Sequence, residues 1–132
     1  MNAELVEKLK SSLVGSQATD FRIGYSTAIL LTAGKDVWSI NLGDSEIVHQ
    51  GLKKLIHSED IKSKFALVDI FQLTLSDIEI AADGGLSLVF KNGLQSTLII
   101  TRASESYEAW EINGPYNFQV VCTPGGKISS WG

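Results

Sequence analysis

The sequence predicts an α+β fold, mainly a strongly curved antiparallel β-meander or partial barrel with about two helices, in a single domain over residues 1–132. Three observations carry this prediction. Short runs rich in β-branched and aromatic residues recur along the chain, glycine-containing turn signals separate them, and helical spacing of apolar residues is confined to the N-terminus and to residues 47–72.

The first element is a helix, because Leu5, Val6, Leu9 and Leu13 fall at helical spacing with Lys8, Lys10 and Ser12 between them. Gly15 is its stop. After Phe21–Tyr25, the runs Thr27–Thr32 and Val37–Leu42 flank Gly34-Lys35-Asp36 and predict a hairpin, closed by Gly43-Asp44-Ser45-Glu46. Between Ile47 and Gln72 the pattern turns helical: Leu52, Leu55 and Ile56, then Ile61, Phe65, Leu67, Val68 and Phe71. Ser58-Glu59-Asp60-Ile61 supplies a capping oxygen and two acids for the start of that second helix.

From there on the sequence predicts six short strands, at about residues 76–82, 86–90, 95–101, 107–112, 118–122 and 127–131. Asp83-Gly84-Gly85, Lys91-Asn92-Gly93, Asn113-Gly114-Pro115 and Pro124-Gly125-Gly126 are the turns between them. With the opening hairpin the total is about eight strands, which helices can plug on one face or at one end.

At 44% hydrophobic and 20% charged, the chain has enough apolar material for a core without disulfide staples. The formal charge of −4 argues against nucleic acid as the partner, since phosphate binding draws on clustered Lys and Arg. Residues 1–65 carry 8 basic and 8 acidic side chains, whereas residues 66–132 carry 3 and 7, so the whole negative excess belongs to the later strands. Apolar runs such as Ala28–Leu31 are far short of the roughly 20 residues that span a bilayer, and the N-terminus has no signal-peptide pattern. A lone Cys122 beside Val120 and Val121, and no Asn-X-Ser/Thr acceptor, suit a cytoplasmic location.

Catalytic constellations are poor. Gly24-Tyr25-Ser26-Thr27-Ala28 has the outline of a nucleophile elbow but ends in Ala and runs into a strand. Pro124-Gly125-Gly126-Lys127-Ile128 lacks the first glycine and the Ser/Thr of a phosphate loop, and reads as a turn. His49, His57, Glu59 and Asp60 are a conceivable metal set at a spacing that matches no metal motif. Asp77 and Glu79 alternate with Ile78 and Ile80, as a solvated strand face does. Glu108 and Glu111 differ in strand parity and are expected on opposite faces, with one of them a candidate partner for Arg102. Among the aromatics Trp38, Tyr107, Trp110, Tyr116, Phe118 and Trp131, core is the expected role, with Trp131 at the chain end the one kept open for recognition.

The segments Tyr107-Glu108-Ala109-Trp110-Glu111-Ile112-Asn113-Gly114-Pro115, Val120–Ile128 and Trp131, with Gly85–Gly93 upstream, resemble the C-terminal half of a family of small bacterial proteins of unknown function. That resemblance implies a compact β-rich fold and carries no catalytic residues. By analogy, small acidic proteins of this kind serve as immunity partners of bacterial toxins.

Three expectations follow. The first is a non-enzymatic cytoplasmic binding protein, an immunity protein that meets a basic toxin through Asp77, Glu79, Asp83, Glu105 and Glu108 and needs no cofactor or metal. The second is a small-molecule module with an apolar cavity lined by Trp38, Trp110 and Phe118. The third and weakest is a metal-assisted enzyme built on His49, His57, Glu59 and Asp60.

Overall fold

A computed structural model describes residues 3–93 and 95–132. It is an α+β fold in which helix α1 (Ala3–Leu13), a short α2 (Ile61–Lys64) and a 3-10 segment (Phe65–Ile70) accompany an antiparallel sheet of eleven described strands. The strands are β1 (Gln17–Ile23), β2 (Thr27–Ala33), β3 (Asp36–Leu42), β4 (Ser45–His49), β5 (Leu52–Ile56), β6 (Thr74–Ile80), β7 (Leu86–Asn92), β8 (Gln95–Thr101), β9 (Trp110–Asn113), β10 (Gln119–Thr123) and β11 (Lys127–Trp131). Their order across the sheet is β11-β10-β9-β3-β2-β1-β6-β7-β8-β4-β5, a curved meander that does not close.

The predicted run of six consecutive strands is therefore two meanders of three. β6-β7-β8 pair in sequence, but β8 then meets β4, while β9-β10-β11 cross over and attach to β3 through Ser39↔Asn113 to Leu42↔Trp110. The two halves join along a narrow seam between β1 and β6, a single ladder pair, Gln17↔Thr74, flanked by backbone bonds such as Ala18 N–H to Leu73 O (3.0 Å) and Leu75 N–H to Ser16 O (2.8 Å).

Curvature brings the far ends together. Gly84 in the β6–β7 turn has φ 93° and Gly126 in the β10–β11 turn has φ 83°, a left-handed region that glycine enters at no steric cost. A Cβ on Gly84 would lie 2.6 Å from the Gly126 carbonyl oxygen, so the two turns touch backbone to backbone. Helix α1 lies between the wings: Lys10 pairs with β6, and the Lys8 ammonium stands 4.3 Å from the centroid of the Phe118 ring next to β10. Leu9 and Leu13 of α1 share one apolar core with Ile29 and Leu31 of β2, Leu88 and Phe90 of β7 and Trp110 and Ile112 of β9. That arrangement realises the expected plugging of the sheet by a helix.

Residues 47–56 correct the helical reading. β4 and β5 form a hairpin with His49↔Leu52 flanking Gln50 and Gly51, both at positive φ (52° and 78°), the conformation of a two-residue turn. Only Ile56 of β5 is buried, so the spacing of Leu52, Leu55 and Ile56 does not mark a core-facing helix. The second helix is also shorter than predicted. Asp60 caps it as expected, accepting from Lys62 N–H at 3.1 Å, but after Lys64 the chain tightens into the 3-10 segment. Its period is three: Lys64, Leu67 and Ile70 are buried, while Phe65, Val68 and Phe71 are exposed. Cys122 is buried, and burial pushes its thiol above the ordinary range, in keeping with an inert thiol. Among the described residues no helix is long and apolar enough to cross a membrane.

Candidate functional site

The site grows from four segments that the curved sheet gathers at one end of β2, β3 and β9. A cleft of about 460 Å³ is lined by Tyr25, Ser26 and Thr27 at the β1–β2 turn, by Asn41 to Gly43 at the end of β3, by Ser58 and Glu59 after β5, and by all five residues from Tyr107 to Glu111. Each segment is held in place. The β1–β2 turn is tied down by Lys64, which is wholly buried and donates from its ammonium to the Gly24 carbonyl. A lysine is almost never fully buried without a partner, and here the carbonyl supplies one. Gly43 N–H donates to Ala109 O at 2.9 Å, and a Cβ at Gly43 would stand 3.0 Å from that oxygen, so glycine permits the close approach. The segment carrying Glu59 is pinned by Ser58 N–H to Asp44 Oδ1 and His57 N–H to Ser63 Oγ, both 2.8 Å.

The lining is rich in acceptors. Glu59, Glu108 and Glu111 contribute carboxylates, and none of the residues lining the cleft is basic. Neither Glu59 nor Glu108 takes part in an ion pair among the described residues. Glu111 Oε1 accepts from Gln119 Nε2, which also donates to Asn113 Oδ1 at 3.1 Å. Asn41 faces Glu111 directly across the β3–β9 ladder, and its Oδ1 is buried with no hydrogen-bond partner among the described residues. An orphaned buried acceptor carries a penalty of about 1–3 kcal/mol. The rim is aromatic: Tyr25 is fully exposed and Tyr107 about half exposed, while the Trp110 indole lies buried behind the wall and donates to Gly84 O at 2.8 Å.

The predicted acidic residues fall in three places rather than on one surface. Asp77 and Glu79 do share a strand face, but Lys10 of α1 neutralises both, at 3.5 and 2.6 Å. Asp83 spends one carboxylate oxygen on Gly85 N–H at 3.0 Å and lines, with Glu105 and Arg102, a separate depression. Only Glu108 reaches the main cleft. There it joins Glu111, because Glu108 precedes β9 and escapes the parity that would have put the two on opposite faces. Arg102 pairs with Glu46 instead, at 3.4 Å.

The Lys10 pair has a pH signature. Hydrogen bonding to Glu79 raises the Lys10 pKa above its ordinary 10.5, against the opposing effect of desolvation and with help from Asp77. A base whose folded pKa is raised contributes stability that is complete below 10.5 and disappears as pH climbs through the folded value. Glu79→Gln should therefore be less stable than the parent at pH 7 to 9, and the difference should vanish in alkali, as followed by urea unfolding across pH.

The other candidate sets separate as well. His49 bonds through Nδ1 to Thr97 Oγ1 at 2.5 Å, and His57 lies just past the opposite end of the β4–β5 ladder, about 17 Å along the strands. Among the described residues no group of three or more His, Cys, Asp or Glu side chains is placed to hold a metal ion. Trp38 and Phe118 pack edge to face in the core with centroids 5.5 Å apart, and Trp110, 2% exposed, lines the cleft without them. Tyr25, Asn41 and Lys64 had no signal in the sequence beyond their residue types.

A family model for a group of unknown function, DUF6188, matches residues 9–132. The chain belongs to this family. The span matched to DUF6188 takes in all eleven described strands and every cleft residue. No curated protein and no solved structure matches the chain.

Proposed function

We propose that this chain is a non-enzymatic binding protein of the bacterial cytoplasm, an immunity protein that neutralises a basic toxin, and that the cleft walled by Tyr107–Glu111 is where it meets that partner. The observation that carries the reading is the imbalance of the cleft: three carboxylates, with no basic side chain in the lining. Such a surface favours a cationic partner and speeds its capture. It also relocates the recognition surface from the five-residue acidic set to Glu59, Glu108 and Glu111, keeping only Glu108 of the original group. The segment Tyr107–Glu111, which belongs to the signature resembling small bacterial proteins of unknown function, contributes every one of its residues to the cleft.

Co-expression with the product of the adjacent gene tests this. The expected result is a neighbour that is toxic alone, tolerated with this chain, and co-purified with it in a salt-sensitive manner. A neighbour that is harmless, or that ignores the chain, would overturn the reading.

A further inference from the structure

We infer that the 3-10 segment is a dimer interface: its outward face, Phe65, Val68 and Phe71, packs against the same three residues of a second copy of this chain, about a two-fold axis through Val68. None of the three lines the cleft, so the inference does not rest on the proposed function.

The segment is built inside out. Over residues 64–71 the one cation, Lys64, is wholly buried, while both phenylalanines face solvent, Phe65 at 54% and Phe71 at 49% exposure, with Val68 at 57%. A solvated surface favours the reverse, since lysine is almost never fully buried and large apolar side chains belong in a core. The three-residue period enforces the arrangement: Lys64, Leu67 and Ile70 share the inner row, which leaves Phe65, Val68 and Phe71 eclipsed on the outer one. Conflicts of this kind between local chemistry and burial collect at functional sites. Covering the outer row removes the conflict.

The symmetry of the row says what covers it. Phe65-Ala66-Leu67-Val68-Asp69-Ile70-Phe71 presents Phe, Val and Phe at equal intervals, an order that is the same in both directions. A two-fold dimer needs a patch that complements itself, because residue i meets residue j and j meets i. With two rows antiparallel, Phe65 of one copy meets Phe71 of the other, twice, and Val68 meets Val68 on the axis. Aromatic pairs of this kind stabilise beyond the area they bury. No bare charge is trapped, since Asp69 is the only charged side chain between the two phenylalanines and is already paired with Lys54 at 3.0 Å. The Phe21 ring, 6.3 Å from that of Phe71 between centroids, presets one anchor before association.

The area suits a reversible dimer. With Ile61, 53% exposed at the start of α2, the row leaves on the order of 400 Å² of mostly apolar surface per copy. Leu52, exposed on the same face of β5 as Lys54, extends that surface through the Lys54–Asp69 pair. Two copies together bury about 1,000 Å², the lower bound of a specific interface and the range of weak complexes.

Sedimentation equilibrium of the intact chain between about 1 µM and 1 mM tests this, with an expected rise from one chain to two, no further, and a Kd of about 10–100 µM. In about 0.5 M NaCl the affinity should stay within about twofold, because an apolar contact is not screened. Val68→Asp sets two carboxylates face to face on the axis and should weaken dimerisation at least about tenfold. Its urea midpoint at about 1 µM, where the parent is monomeric, should match the parent's, because Val68 is exposed in the single chain. Val68→Cys should be joined to its own copy by a short bis-maleimide, whereas Val37→Cys, equally exposed but on β3, should not, and the native Cys122 is buried.

A single chain at 1 mM would overturn the inference and leave the face to a different partner. Growth beyond two copies, loss of the dimer in salt, equal cross-linking at the two cysteine positions, or Val68→Asp dimerising like the parent would overturn it as well. If Val68→Asp lowers the midpoint, the cross-linking comparison decides alone.

Discussion

Trp110→Ala should lower the unfolding free energy by about 4 kcal/mol, the upper part of the range for emptying a large aromatic from a core. Trp110 is 2% exposed and opens β9, where it is flanked by Leu42 on β3 and Cys122 on β10. Its loss does two kinds of damage. The first is the cavity at the centre of the β3-β9-β10 wing. The second is electrostatic: the indole N–H is the donor to the Gly84 carbonyl at 2.8 Å, a bond between side chain and backbone that crosses from one wing of the sheet to the other. Trp110→Phe separates the two, because it keeps most of the ring volume and removes the donor, and it should cost about 1–3 kcal/mol. Urea unfolding measures both, as a fall in midpoint with little change in slope.

Gly126→Ala should cost about 3 kcal/mol, far more than the usual effect of a single methyl group. Its φ of 83° is a conformation an alanine pays to adopt, and the new Cβ would collide with the carbonyl oxygen of Asp83 in the opposing turn. Because the obstacle is backbone, relief requires the two turns to part, which also strains the Trp110 to Gly84 bond. Gly34→Ala is the control. It has φ 63° in the β2–β3 turn and open space around the added carbon, so it should lose only about 1 kcal/mol from the backbone effect. The gap between the two variants measures the contact between the wings, apart from the conformational cost that both share.

What could be read from the sequence follows from how local the information is. The hairpin of β2 and β3 and the strands β8 and β11 lie where alternation and turn residues place them, since a strand's face and a tight turn are written within a few neighbouring residues. The β4–β5 hairpin escaped because its turn uses Gln50 at positive φ, a residue with no turn signature, and because Leu52 and Leu55 mimic helical spacing while pointing to solvent. The 3-10 segment escaped through its period of three, which over six residues is hard to tell from 3.6.

Pairing is the larger gap. Nothing in β9 announces that its partner is β3, some seventy residues earlier, rather than β8, and this crossover is what builds the cleft. Composition placed the negative charge in residues 66–132 but not in space. Lys10 from α1 cancels Asp77 and Glu79, whereas Glu59, from the half that is neutral overall, joins Glu108 and Glu111. A site assembled from four separated segments has no sequence period to betray it.

Hydrogen–deuterium exchange of the chain, free and bound to the basic partner proposed for it, tests the central claim most directly. Binding at the cleft predicts new protection at residues 24–27, 41–43, 57–59 and 107–111, with the α1 and β6 surface around Lys10, Asp77 and Glu79 unchanged. Protection confined to that surface, or to the turns of Asp83 and Glu105, with the four cleft segments exchanging as they do in the free chain, would contradict it.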